Sequence, residues 1–151
     1  MTVHGANDPL LLDEQICFAL YNASRALTAR YRELLEPLGV TYPQYLVLLV
    51  LWQTDRVSVG QLGERLHLDS GTLSPLVRRL EAAGLLTRTR MPEDERTVRV
   101  SLTAAGLALR AKAAHIPEQI CAATGLDLAD LKALQVQVVS VAEHVRSAVH
   151  D

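Results

Sequence analysis

Aromatic side chains are nearly missing from this chain. Four tyrosines, one tryptophan and one phenylalanine make up 4% of its 151 residues. A chain of this length is most simply one domain that buries a real core. That core must be built from Leu, Val and Ala, which points to helices. Excess positive charge is missing too: the net charge is −2 and the sequence pI is about 6.2. The global basic balance of many nucleic-acid binders is therefore absent, and contact with phosphates would need a local patch. Only Cys17 and Cys121 carry thiols. They lie far apart and match no zinc spacing. No apolar run is long enough for a bilayer and no stretch reads as a secretory leader, so a cytoplasmic chain without a membrane partner is expected. In that compartment no permanent structural disulfide is expected. His4, His67, His115, His144 and His150 are scattered, and no metal site is expected. P-loop, nucleophile elbow and dinucleotide fingerprint are all absent, and no cofactor is called for. Repeats and low-complexity segments are absent as well.

What is present is organised around positions 68–81. Leu73, Leu76, Val77 and Leu80 recur at steps of three, one and three, which makes one buried helix face. Ser70, Thr72, Ser74, Arg78 and Arg79 carry hydroxyls and guanidiniums, which suit contact with base edges and phosphates. An ordinary surface helix with two arginines is the plain alternative. Asp69 or Ser70 can cap the start and Gly84 fits just past the end. Pro75 leaves the start uncertain by a few residues. A local basic patch does exist: Arg78, Arg79, Arg88, Arg90, Arg96 and Arg99 fall between positions 78 and 99, diluted by Glu81, Glu93, Asp94 and Glu95.

The flanking segments give that helix its setting. Residues 1–9 read as a loose tail. A long helix is expected from an Asp13 N-cap, with Ile16, Leu20, Ala23, Leu27, Tyr31, Leu34 and Leu38 on its apolar face and Pro37 and Gly39 at its stop. Thr41-x-x-Gln44 opens a second helix with a capping box, its inner face formed by Leu46, Leu49 and Val50. Ser58-x-x-Gln61 opens a short third helix. Short helix, tight turn at His67–Asp69 and amphipathic helix make a helix-turn-helix. Two alternating stretches, 85–90 and 97–102, flank a charged turn at 91–96, which makes a β-hairpin, or wing. Arg96 at its tip is placed to enter a minor groove. The alternative is an ion pair with Asp94 or Glu93, and both hold if Asp94 orients Arg96. Thr103 caps a further helix that breaks near Pro117. Asp127 caps the last helix, where Leu131, Leu134, Val138, Val141, Val145 and Ala148 form a heptad seam. A seam at a chain end needs a partner, either the first helix of the same chain or a second subunit.

Cys17 is expected about one turn into the first helix, where unsatisfied N–H groups and the helix dipole favour a negatively charged sulfur, with Asp13 and Glu14 opposing. Tyr21 can face the same way. Tyr31 and Tyr42 are phenols able to donate to a thiolate. Tyr31, however, lies roughly 21 Å from Cys17 along a straight helix at about 1.5 Å per residue. The two can meet only across crossing helices of a dimer. The alternative is a Cys17 that is a small buried hydrophobe among core tyrosines.

These residues carry a resemblance. The winged helix-turn-helix between flanking helices resembles the MarR family, and Asp94-Glu95-Arg96 followed by Leu102-Thr103 resembles its wing signature. Three stretches, 12–21, 38–47 and 68–76, resemble the organic hydroperoxide resistance regulators within that family. The likeness spans roughly residues 10–110. It implies a mainly α fold with a small β-hairpin wing, in a single domain over 1–151. Residues 41–102 would form the winged helix-turn-helix, and 10–40 and 103–150 the dimerisation helices. It further implies a homodimeric repressor on palindromic, double-stranded operator DNA, with organic hydroperoxide as inducer. Ser70, Thr72, Ser74, Arg78, Arg79, Arg88, Arg90, Asp94 and Arg96 would serve DNA binding. Cys17 would be the redox-sensing cysteine and Cys121 the resolving one. Tyr21, Tyr31 and Tyr42 would hold the thiolate. The rival expectation is a MarR-type repressor released by a non-covalent phenolic or drug-like ligand.

Overall fold

The computed structural model describes residues 8–149. They divide into two compact units that meet in sequence at Ala113/Ala114. In the first unit, a 3-10 turn at Leu12–Glu14 precedes helix α1 (Ile16–Leu35). Asp13 therefore sits in the turn and does not cap α1. Gln15 holds the cap position and gives no side-chain cap to the helix. Its amide instead donates backwards to the carbonyls of Pro9 and Leu11, at 2.8 and 2.9 Å. As a result Cys17 is the second helical residue, inside the first turn and not one turn further on. α1 stops through a 3-10 turn at Glu36–Leu38 and Gly39, whose φ of +70° is open to glycine at no steric cost.

Helix α2 (Tyr42–Gln53) opens on the expected capping box. Thr41 Oγ1 accepts from Gln44 N–H and Gln44 Oε1 accepts from Thr41 N–H. Its buried residues are Tyr45, Val47, Leu48, Val50 and Leu51, while Leu49 is exposed and Leu46 half-buried. The expected inner face of Leu46, Leu49 and Val50 thus holds only at Val50. The reason is that α2 is central, with α1, α3, α4 and α5 all against it. An all-round apolar helix has no stripe to phase by.

Strand β1 (Val57–Ser58) leads directly into α3 (Val59–Leu66), which the Ser58–Gln61 box opens. Asp69 caps α4 (Ser70–Ala82), its Oδ1 accepting from Thr72 N–H at 2.7 Å. Leu73, Leu76, Val77 and Leu80 are buried as the spacing requires. Pro75 lies beyond the first turn. It removes one donor from the Gly71 carbonyl, and Gly71 is exposed to water. The end of α4 is a Schellman motif: Gly84 N–H donates to Glu81 O and Leu85 N–H to Leu80 O.

Strands β2 (Leu86–Met91) and β3 (Asp94–Leu102) form the wing, and β1 pairs with the far edge of β3, giving the order β1-β3-β2. The turn is shorter than expected. Only Pro92 and Glu93 lie between the strands, with Met91 opposite Asp94 beyond an irregularity at Arg90/Met91. Arg96 therefore belongs to β3 and not to the tip. The extra, two-residue β1 was not anticipated, since two residues carry no alternation. Thr103 Oγ1 then accepts from Gly106 N–H and donates to Gly84 O, tying α5 (Ala104–Ala113) to the end of α4.

The second unit contains α6 (Ile116–Thr124), with Pro117 in its first turn where a break was expected, and α7 (Leu128–Ala148). Gly125 ends α6 with φ +72° and Asp127 caps α7 through Asp130 N–H. No residue of α7 is buried. Its seam residues Leu134, Val138, Val141 and Val145 are 39–59% exposed within one chain. At the far end of the sequence Ile16 is likewise 66% exposed. No single helix among the described residues is long and apolar enough to cross a membrane.

Candidate DNA-reading face and thiol site

The helix-turn-helix is α3, the turn at His67–Asp69, and α4. His67 makes the turn with φ +54°. Ser70, Thr72, Arg78 and Arg79 are exposed along α4 and Ser74 is half-buried. A cleft of about 380 Å³ separates this helix from the wing. Ser58, Gly60, Ser74, Arg88, Arg96 and Thr97 are among the residues that line it.

The wing arginines fall into two kinds. Arg88 and Arg90 are engaged inside the chain. The Arg88 guanidinium donates through Nε and Nη2 to Glu81 Oε1 at 3.2 and 3.0 Å, and Arg90 Nη1 donates to the Glu95 carbonyl at 2.8 Å. Arg96 has no acidic partner among the described residues. Asp94 serves its backbone instead: Oδ1 accepts from Arg96 N–H and Oδ2 from Thr97 Oγ1, each at 3.0 Å. The carboxylate thus shapes the start of β3 and leaves the Arg96 guanidinium unneutralised. Arg96→Ala is expected to weaken DNA binding across many sequences and to lower the slope of log K against log salt by about one. Anisotropy titrations at several salt concentrations measure both quantities.

Cys17 is exposed on the first turn of α1 and its thiol is free. Tyr21, one turn on, is 60% exposed, with the Arg25 guanidinium 5.5 Å from its ring centroid. The other tyrosines gather elsewhere. Tyr31 and Tyr42 have ring centroids 4.5 Å apart, and Tyr45 lies 5.8 Å from Tyr31 and 6.1 Å from Trp52. Burial, with Tyr42 and Tyr45 adding repulsion, pushes the Tyr31 phenol up to about 12, and burial also raises Tyr42 and Tyr45. These phenols keep their protons at neutral pH and remain hydrogen-bond donors. α1 is unbroken between Cys17 and Tyr31. One chain therefore brings Tyr31 and Tyr42 together and leaves Cys17 about 21 Å from Tyr31 along the helix. Cys121, in the second unit, is free and half-buried, its Sγ 3.8 Å from the Leu126 carbonyl oxygen. Tyr45, Trp52 and Glu81 were missed in the sequence. The i, i+3, i+10 spacing of Tyr42, Tyr45 and Trp52 on one helix was a readable signal for the first two.

Comparison with known proteins bears on both regions. Residues 40–98 match the model of the MarR family. Over 136 residues, 90% of this chain and 92% of the relative, the sequence is 46% identical to the organic hydroperoxide resistance transcriptional regulator of Bacillus subtilis (strain 168). The chain belongs to the MarR family. It is a transcriptional regulator of the MarR type, and MarR proteins are DNA-binding regulators, not enzymes. MarR regulators bind DNA as dimers. Among solved MarR-like structures, reduced AbfR bound to DNA, from Staphylococcus epidermidis, superposes with a TM-score of 0.75 at 31% identity, covering 89% of this chain and 94% of that one. Disulfide-formed AbfR superposes with a TM-score of 0.62 at 30% identity, covering 93% of each chain.

Proposed function

We propose that this MarR regulator is a redox-sensing repressor that holds palindromic operator DNA as a dimer and releases it when an organic hydroperoxide oxidises Cys17. The observation that carries the reading is the exposed, free Cys17 on the first turn of α1, together with the paired Tyr31 and Tyr42 phenols, 4.5 Å apart between ring centroids, which can donate to a thiolate. The uncovered apolar residues of α7 and of the N-terminal half of α1 support a second subunit, across which Tyr31 and Tyr42 would serve the partner's Cys17. The 46% identity to an organic hydroperoxide resistance regulator supports the inducer class.

In this reading α4 of each subunit lies in a major groove, with half-sites about one helical turn apart, and the wing reaches the neighbouring minor groove. Ser70, Thr72, Ser74 and Arg78 meet base edges, while Arg79 and Arg96 meet backbone or minor groove. The Cys17 thiolate attacks the terminal peroxide oxygen. The O–O bond breaks, the alkoxide takes a proton and leaves as an alcohol, and sulfur becomes a sulfenic acid, oxidised by two electrons. A Cys121 thiol of the other subunit then attacks that sulfur and water leaves, giving an intersubunit disulfide. Loss of the phenol hydrogen bonds and closure of this bond shift the two α4 helices out of register with DNA.

Anisotropy of a labelled duplex from the chain's own promoter tests the whole reading. Binding should fall after stoichiometric cumene hydroperoxide and return with a dithiol. Binding that persists through oxidation retires Cys17 as the sensor. Cys121→Ser should stop at sulfenic acid and give no crosslinked dimer on a non-reducing gel. A crosslink that persists in that variant removes Cys121 from the scheme.

A further inference from the structure

Glu81 is an unexpected residue on a helix that reads DNA. It follows Ser74 and Arg78 at steps of four and three, so it shares their stripe of α4. A carboxylate there repels phosphates. In this chain it is turned to the wing instead. Its Oε1 accepts from Arg88 Nε and Nη2 at 3.2 and 3.0 Å, and its Oε2 accepts from the Arg88 backbone N–H at 3.1 Å. β2 is an outer strand of the sheet, so this N–H has no neighbouring strand to donate to. Glu81 thus takes three donors from one wing residue, and the hydrogen bonds from Arg88 hold its carboxyl below the usual range.

The position of this clamp matters. Only Ala83, Gly84 and Leu85 separate α4 from β2. The far strand is fixed independently, since Asp55 Oδ1 accepts from Leu102 N–H at 2.9 Å. The near strand has no comparable side-chain anchor among the described residues other than Glu81. Arg88 also lines the cleft between α4 and the wing, with Ser74 and Arg96. An arginine there reads at first as a phosphate contact, but its guanidinium is already committed to a carboxylate.

We propose that Glu81 and Arg88 form a positioning clamp that sets the angle between α4 and the wing, so that α4 and Arg96 engage adjacent grooves together, and that Arg88 is not itself a DNA contact. The clamp rests on the winged helix as the DNA-binding unit and is independent of any role of Cys17. It makes a prediction whose sign opposes simple electrostatics. Glu81→Ala removes a negative charge from a DNA-facing helix and frees a guanidinium, which by charge alone tightens binding and steepens its salt dependence. As a clamp residue, its loss weakens binding.

The experiment is a double-mutant cycle on a labelled duplex from upstream of the chain's own gene, titrated at several salt concentrations. Glu81→Ala and Arg88→Ala should each weaken binding about threefold to fivefold, the size of one solvent-exposed, hydrogen-bonded ion pair. The double variant should be no weaker than either single one. In an Arg96→Ala background, where the clamp no longer has a wing contact to place, adding Arg88→Ala should leave the salt slope unchanged. Glu81→Gln keeps a neutral acceptor for the Arg88 N–H and should fall between, and it carries the test with the same sign if the alanine variant does not fold. Equal or tighter binding by Glu81→Ala overturns the clamp. So does additivity in the double variant, or a further loss of about one unit of salt slope when Arg88→Ala is added to Arg96→Ala. Wild-type binding to the same duplex reports on DNA reading itself, which separates a failed clamp from a failed operator.

Discussion

Cys17→Ser is expected to bind operator with wild-type affinity and to keep it when hydroperoxide is added. Serine is close to cysteine in size and position 17 is exposed within one chain, so the substitution leaves no cavity there, and in the dimer its hydroxyl oxygen can still accept from the phenols. What it removes is the chemistry. A hydroxyl oxygen cannot be raised to the sulfenic state, and without that step no disulfide can follow. In the wild-type chain oxidation should lower DNA affinity about 100-fold, within the range that coupling between two sites reaches. In the serine variant the change should be within error. Anisotropy on the same duplex before and after oxidant measures both. A serine variant that still lets go of DNA would move the sensor elsewhere. It would favour the rival mechanism, a non-covalent ligand between the helices, which predicts a response intact after thiol blocking. Tyr31→Phe separates the sensor from its support. The ring and its packing on Tyr42 survive, while the donor is lost, so the response should slow without disappearing.

The sequence was most readable where one short-range cause decides the outcome. Thr41 and Ser58 each precede glutamine by three positions, and both make reciprocal capping boxes. Leu73, Leu76, Val77 and Leu80 are buried because a surface helix has one core side and the spacing names it. Gly84 and Gly125 mark helix ends because positive φ has few other occupants. Where several neighbours compete, the pattern failed. α2 is apolar on every side, so periodicity chose the wrong members of its core. Asp13 looked like a cap, but the backbone spent a 3-10 turn first, which moved Cys17 to the start of the helix. The charged stretch 91–96 read as a loop from its composition. Instead, Asp94 folds it by accepting from Arg96 N–H and Thr97 Oγ1, and pairing then runs almost to the tip. Side-chain partners chosen across sequence, such as Glu81 for Arg88, leave no periodic trace. The thiol and phenols were legible as candidates because they are rare in this chain. Their grouping of Tyr31 and Tyr42 with Tyr45 and Trp52 depends on how α1 and α2 pack.

Gly106→Ala should be the most damaging single-methyl change in the first unit. Gly106 lies in the first turn of α5 and is buried. An added Cβ would collide with the Leu85 carbonyl oxygen and would also sit 3.0 Å from Leu85 C and 3.1 Å from Leu102 Cδ2. The obstacle is backbone, not the end of a flexible side chain. Nor is that carbonyl free to move: it accepts from Thr103 N–H at 3.1 Å, and Leu85 N–H closes the end of α4 on Leu80 O. Relief must come from α5 lifting away. That would strain the bond from Trp52 Nε1 to Gly106 O, 2.9 Å long, and the Thr103 links to Gly84 and Gly106. The wing root, the end of α4 and the central helix α2 all converge there, so stability and DNA reading should fall together. The expected loss is about 3 kcal/mol, the upper part of the range for overpacking, and a lowering of Tm by roughly 10 °C. Trp52, the only tryptophan, reports the local change by its fluorescence. Gly84→Ala is the comparison. Its φ is +76° but nothing lies within 4 Å of the added Cβ, so backbone strain alone should cost only about 1–2 kcal/mol. Thermal melts that rank Gly84→Ala as the worse of the two would mean that α5 is not pressed against the wing root, and that the links through Trp52 and Thr103 do not hold it there.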